Sequence, residues 1–320
     1  MIRAMKPTAV LIAVLALALT AAPAHAAQSL ATEAAPFNAD AYGDVIAWSA
    51  YDRAAGVYRL RLLVDGKPVT PAVTPAAKDL DVDVGPGPDG APLVVYARLG
   101  DLFQYDPATG REQPLAEVNT PAIERTPSIH RDALGFVREV HGRPVVYLRR
   151  AGTTRRQPHP RYRRTLGVES VELGSRGLFV VYRTDIVPTC CTRATLYRIV
   201  GGRLRHIFAA PSGGANLGLI VSPSLLGRNV YFGRTNEGSG QGNRFFRYDL
   251  RSKHLYAAQG TRLAHTLTWR GDRFLESRIS GGCQGTPDDD PTATPTCELL
   301  LTDPIHFRPA ARADVRRTRP

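Results

Sequence analysis

The chain has 320 residues, 43% of them hydrophobic and 22% charged, with four Cys and a net charge of +12. That is too apolar for a disordered chain and too poor in cysteine for a disulfide-dense mini-scaffold. No run of 18 apolar residues is present, which excludes an integral membrane helix.

Residues 1–26 read as an export signal. Arg3 and Lys6 give the positive start, residues 9–19 the apolar stretch, and Ala24-His25-Ala26 the small-x-small cleavage pattern. The expectation is a secreted, extracytoplasmic protein that begins at Ala27 and carries no integral membrane segment. Only four lysines are present, so arginine supplies almost all of the positive charge. Arginine suits carboxylate and phosphate partners, although codon bias explains the same excess. An exported chain without a nucleic-acid module is not expected to bind nucleic acid.

From residue 43 onward one pattern recurs. Gly43-Asp44 precedes the apolar run 45–48, followed by 58–64 and the turn Asp65-Gly66. Asp89-Gly90 leads into Leu93-Val94-Val95-Tyr96, then Leu102-Phe103-Gln104-Tyr105 and the turn 106–110. Arg131-Asp132 precedes 134–137 and then 145–148. Gly177 precedes 178–182 and then 196–199. Gly227 precedes 230–232 and then 245–248, and Gly271-Asp272 precedes 274–275 and then 299–301. Starts at 45, 93, 134, 178, 230 and 274 give a period of 41–52 residues, the size of a four-stranded propeller blade. No segment holds a helical apolar period. The fold class is therefore all-β, a six-bladed β-propeller of four-stranded antiparallel blades over 27–310. Residues 311–320 form a basic disordered tail. The segment 29–37 is expected to close the ring beside 299–302.

Residues 87–110, with their Gly-Pro-Asp-Gly turn, apolar strand, Asp-apolar-aromatic strand and Asp-x-x-x-Gly turn, resemble the WD40-like repeat of TolB-type six-bladed propellers. Ser222-Pro223, Gly227 and Val230-Tyr231-Phe232 are a looser match. The resemblance implies the fold and leaves the function open, since propellers host binding, scaffolding and several chemistries. About ten residues separate Ala27 from the first blade, so the N-terminal α/β domain of TolB is not expected.

Three connections between second and third strands are long: 184–193, 235–244 (which contains Asn236) and 279–295. All belong to one face, together with the links between blades, and this face is the expected binding surface. Arg98, Arg138, Arg183, Arg234 and Arg278 recur just after the second strands. They either form a cationic rim for a protein or anionic ligand, or each caps its strand and pairs with a carboxylate such as Asp185 or Glu237. His130 and His265 fall in the first strands of blades three and six, opposite each other around the channel. They are either channel-facing catalytic groups or ordinary structural histidines.

Four cysteines allow three pairings; Cys283–Cys297 is favoured and a vicinal Cys190–Cys191 bond comes next. Neither a zinc set nor a calcium loop is expected, the run Asp288-Asp289-Asp290 lacking the ligand spacing. No cofactor and no catalytic residue is assigned. The reading is an exported, monomeric binding or protein-interaction module. The alternative is a channel-centred lyase or hydrolase acting on an extracellular polymer. Polar side chains converging from the inner strands would favour the alternative.

Overall fold

The structure, a computed structural model, describes residues 27–35, 37–160, 165–187, 191–210, 220–234, 244–259, 264–270, 273–279, 297–302 and 305–310. The export signal expected over 1–26 and the tail 311–320 lie outside the described residues. So do 235–243, with Asn236, and 280–296, with Cys283. Among the described residues no helix is long and apolar enough to cross a membrane.

Strand β1 (Gln28–Glu33) opens the chain. Blade one is β2 (Ala39–Tyr42), β3 (Val45–Asp52), β4 (Val57–Val64) and β5 (Lys67–Val69). Blade two is β6 (Asp83–Pro86), β7 (Pro92–Arg98), β8 (Asp101–Asp106) and β9 (Arg111–Pro114). Blade three is β10 (Glu124–His130), β11 (Ala133–Val140), β12 (Arg143–Arg150) and β13 (Thr153–Arg156). Blade four is β14 (Thr165–Gly174), β15 (Gly177–Val187), β16 (Cys191–Val200) and β17 (Arg203–Ala209). Blade five is β18 (Ile220–Leu226), β19 (Asn229–Arg234), β20 (Arg244–Asp249) and β21 (Leu255–Ala258). Blade six is β22 (Ala264–Arg270), β23 (Arg273–Ile279) and β24 (Cys297–Thr302), completed by β1. The last strand, β25 (Phe307–Pro309), adds to the outer edge of blade five.

Each first strand packs against the first strand of the next blade, and β22 returns to β2, so the six sheets form a closed ring around an axis. Closure comes from β1, whose Ser29 lies opposite Leu300 and whose Glu33 lies opposite Cys297. Glu33 also accepts the Trp48 indole N–H at 2.7 Å, which ties the closing strand to blade one.

The apolar runs of the second strands follow from this stacking. A blade has a neighbour on both faces, so consecutive residues are all buried instead of alternating with solvent. In β15, Phe179 and Val181 pack towards blade five while Val180 and Tyr182 pack towards blade three, all fully buried. Trp48 likewise faces blade six, and Ala47 beside it faces blade two. Six apolar clusters among the described residues fill the six gaps between blades. Each large side chain removed from water there stabilises the ring by roughly 1.5–3 kcal/mol.

Turn chemistry fits the hairpins. Asp65-Gly66 (φ 52° and 72°) and His141-Gly142 (φ 51° and 70°) hold both central residues in the left-handed region, as a two-residue type I′ turn requires. At Gly85 the need is packing instead: a Cβ there would overlap the Ile129 carbonyl oxygen of blade three.

One sequence expectation needs correction. The supposed loop 184–193 of blade four is mostly strand: Thr184 pairs with Arg193, Asp185 with Thr192 and Val187 with Cys191. The chain after the sixth blade also has a second use, since β25 returns to the preceding blade.

Candidate functional site

The inner strands place one polar side chain per blade at a matching position near the axis. Asp40 Oδ2 accepts the Val84 N–H at 2.8 Å, and Asp83 Oδ2 accepts the Ile129 N–H at 2.9 Å. Ser128 Oγ accepts the Leu173 N–H at 2.8 Å, and Glu172 accepts the backbone N–H of Leu225. The Thr268 hydroxyl completes the circuit by donating to the Ala39 carbonyl at 3.2 Å. The result is a girdle of five such bonds, in which blades one to four and blade six each hold the backbone of the next.

Three of these groups, Asp40, Asp83 and Glu172, line both ends of the channel and so form its waist. Burial pushes the Asp40 carboxyl up to about 6, against backbone N–H bonds that pull it down. Burial first, and the neighbouring Asp40 charge second, holds Asp83 well above the carboxylate range. Glu172 is raised by burial and then by Asp83 and Asp40. Like charges this close cannot all ionise at once, so the three groups share protons.

One mouth opens on the face of the second-to-third strand connections, as a cavity of about 300 Å³. Its described lining carries six carboxylates (Asp40, Asp79, Asp81, Asp83, Glu169 and Glu172) and no Arg or Lys. Asp81 and Thr126 meet there with φ of 41° and 51°, and Asp81 Oδ2 accepts the Thr126 N–H at 3.2 Å. Burial and the Asp79 charge raise Asp81. The opposite mouth, about 220 Å³, is lined by Tyr42, Pro86, His130, Arg176 and Leu226 around the same three acids.

The recurrent arginines do stand at matching register, with Arg138 opposite Glu124, Arg183 opposite Gly167, Arg234 opposite Ile220 and Arg278 opposite Ala264. Three of them are counter-charged within their own blade. Arg98 meets Glu112 at 2.5 Å, Arg138 meets the fully buried Glu124 at 2.6 Å, and Arg183 meets Glu169 at 3.0 Å. Arg98 also stacks 4.0 Å over Phe103. The carboxylates are strand residues, Glu169 being the one that meets Arg183, while the Asp185 side chain and Glu237 lie outside what the structure describes. Three of the five rim arginines are thus neutralised, and the mouth inside them is lined by carboxylates, of which Glu169 is the one paired with Arg183.

His130 is the last residue of β10, whereas His265 is the second residue of β22. They sit opposite each other around the ring but at opposite ends of the axis. Burial and then the charges of Arg131 and Arg150 lower the His130 pKa, which keeps its imidazole neutral. Cys297 is buried and disulfide-bonded, its partner sulfur outside the described residues. Cys191 opens β16, and Cys190 lies outside the described residues. No cluster of His, Cys, Asp and Glu among the described residues could hold a metal ion.

No family model matches this sequence, and no curated protein does. Solved structures do. TolB from Acinetobacter baumannii is 16% identical with a TM-score of 0.50, over 83% of this chain and 66% of that one. A Mycobacterium tuberculosis puromycin-hydrolyzing peptidase is 14% identical with a TM-score of 0.50, over 87% of this chain and 53% of that one. The chain thus spans just under two thirds of TolB and about half of the peptidase. These likenesses concern the fold alone: the six closed blades make the chain a six-bladed β-propeller, and its fold is similar to that of TolB.

Proposed function

We propose that this chain is an exported binding module that takes a positively charged segment of a partner protein at the mouth on its loop-rich face. The observation that carries this reading is the acidic lining of that mouth, free of Arg and Lys among its described residues. The strand ends Val187, Arg234 and Ile279, from which the second-to-third strand connections start, lie on the same side of the ring as that mouth. Carboxylates in a low-dielectric recess focus their field outward and select a cationic ligand. In this reading Cys283–Cys297 staples the connection of blade six, and export removes residues 1–26. Mass mapping of the secreted protein would check both.

A photo-cross-linking probe placed within 235–243, with a control probe in the turn 106–110 on the opposite face, tests the main claim. The loop-face probe should capture one species that the control does not. Capture should fail with the Asp79→Asn/Asp81→Asn variant. Equal capture from both positions, or undiminished capture by the variant, would defeat it.

A second reading, a channel-centred hydrolase or lyase, draws support from the convergence of Asp40, Asp83 and Glu172. Polymer hydrolysis needs one protonated and one ionised carboxyl, and shared protons supply both. Activity on extracellular polysaccharides that disappears in Asp83→Asn and Glu172→Gln would turn the assignment to this reading.

A further inference from the structure

Strand β17 of blade four is the longest outermost strand among the described residues, with seven residues against six in β1 of blade six. Most outermost strands are short or covered: β5 has three residues including Pro68, β9 four ending in Pro114, and β13 four. The outer edge of β21 is paired with β25. Strand β17 has seven residues and ends its sheet. It pairs regularly from Arg203 to His206, bulges at Ile207 and pairs again at Phe208 and Ala209, so its edge runs past the bulge. Natural proteins shorten, kink or cover such edges because unpaired N–H and C=O groups invite another strand.

Along this edge, between blades four and five, runs a groove of about 580 Å³. Ile207, Tyr248 and Leu250 give it an apolar floor, and Arg198, Arg205 and Lys253 line it with positive charge. Arg198 stands directly opposite Arg205 in the β16–β17 ladder, a like-charge pairing that weakens a sheet when nothing neutralises it. Arg198 also donates Nε to the Arg176 carbonyl at 2.8 Å, which brings a further guanidinium close. None of Arg176, Arg198, Arg205 and Lys253 has an ion-pair partner among the described carboxylates. Blade five shows what fits such a place: three residues of extended chain at Phe307–Pro309.

We infer that the outer edge of blade four accepts an extended acidic segment of a partner protein as a fifth strand, its carboxylates on the groove side against Arg198, Arg205 and Lys253 and its alternate apolar side chains on the other face, beside Leu204. Main-chain bonds give such a strand its affinity, and alternate side chains give it its selectivity. The cationic edge and the acidic mouth lie on different parts of the ring, so this site stands apart from the proposed one.

The test is fluorescence anisotropy with a labelled peptide of alternating Glu and Val, ten residues long. It is run beside the same peptide with Lys for Glu, and beside the Glu peptide with every second backbone nitrogen methylated. The Glu peptide should bind saturably and at least about tenfold more tightly than either comparison. Arg205→Glu/Lys253→Glu, which changes two exposed residues and leaves the core intact, should weaken it by at least about tenfold. A thermal melt of that variant checks that the ring is folded. Equal binding of the methylated peptide would reduce the site to diffuse anion adhesion and overturn the inference. So would equal binding of the Lys peptide, an unaffected variant, or no saturation up to about 1 mM.

Discussion

Replacing Asp40 by Asn tests the proton-sharing girdle directly. The amide oxygen can still accept the Val84 N–H, while the side chain stays neutral at every pH. In the native protein the Asp40 carboxyl is raised from its ordinary 3.8 to about 6. At 1.36 kcal/mol per pH unit, keeping it ionised at pH 7.5 costs the fold about 3 kcal/mol at most. The sign follows from linkage. A carboxyl raised by folding binds more protons in the native state, so its contribution is fully present below about pH 4 and lost as pH rises through about 6. Thermal melts at intervals from pH 3.5 to 8 should therefore show the two proteins nearly level at the acid end. Asp40→Asn should lead by about 1–3 kcal/mol at the alkaline end, a gap of roughly 2–5 °C for a domain of this size. Asp83 and Glu172 lie on the same waist, so the native curve should fall in steps that belong to the trio. A variant that is less stable by a constant amount across the range would refute the reasoning. It would mean that the ionised form is the one the fold holds, through a bound cation or an ion pair.

Arg138→Met leaves Glu124 fully buried without its guanidinium, and urea unfolding should show a loss of about 3–5 kcal/mol; a loss below about 1 kcal/mol would mean the pair is not what holds Glu124. Gly85→Ala should cost about 1–3 kcal/mol by forcing blades two and three apart, measured in the same way. Gly142→Ala, with open space but φ of 70°, should cost about 1–2 kcal/mol through backbone strain alone. Removing residues 305–320 uncovers the β21 edge, and the truncated protein should self-associate with rising concentration in analytical ultracentrifugation while the native chain does not.

The sheets were legible in the sequence because their signals are local. Runs such as Leu93-Val94-Val95-Tyr96 and turns such as Asp65-Gly66 need no distant partner to be recognised. Their starts fall within a residue of the observed second strands. The girdle was not legible. Asp40 finds its hydrogen-bond partner 44 residues ahead, and Asp83 finds one 46 residues ahead. In retrospect a polar residue followed by an apolar one at each first strand (Asp40-Ala41, Asp83-Val84, Ser128-Ile129, Glu172-Leu173, Ser224-Leu225) marks it. Only the ring shows that these positions share one level. The arginine recurrence was visible and its meaning was not, because Glu112, Glu124 and Glu169 sit on strands that sequence spacing does not bring beside Arg98, Arg138 and Arg183. Strand β25 carries three residues, Phe-Arg-Pro, with no alternation to announce it.

Closure by β1 sets an order of events in time. Gln28–Glu33 is among the first parts of the described chain to emerge during synthesis or transport, and its partner Cys297–Thr302 is among the last. Five blades can zip up one after another as they appear, each from contacts close in sequence. The circle itself waits for the far end of the chain. Until then Trp48 lacks Glu33 and the blade-one face that ends against Leu275 and Leu299 stays wet. The interval between first emergence and final docking is when this protein is most open to proteases and to wrong partners, and a chaperone that shields the leading strand would act there.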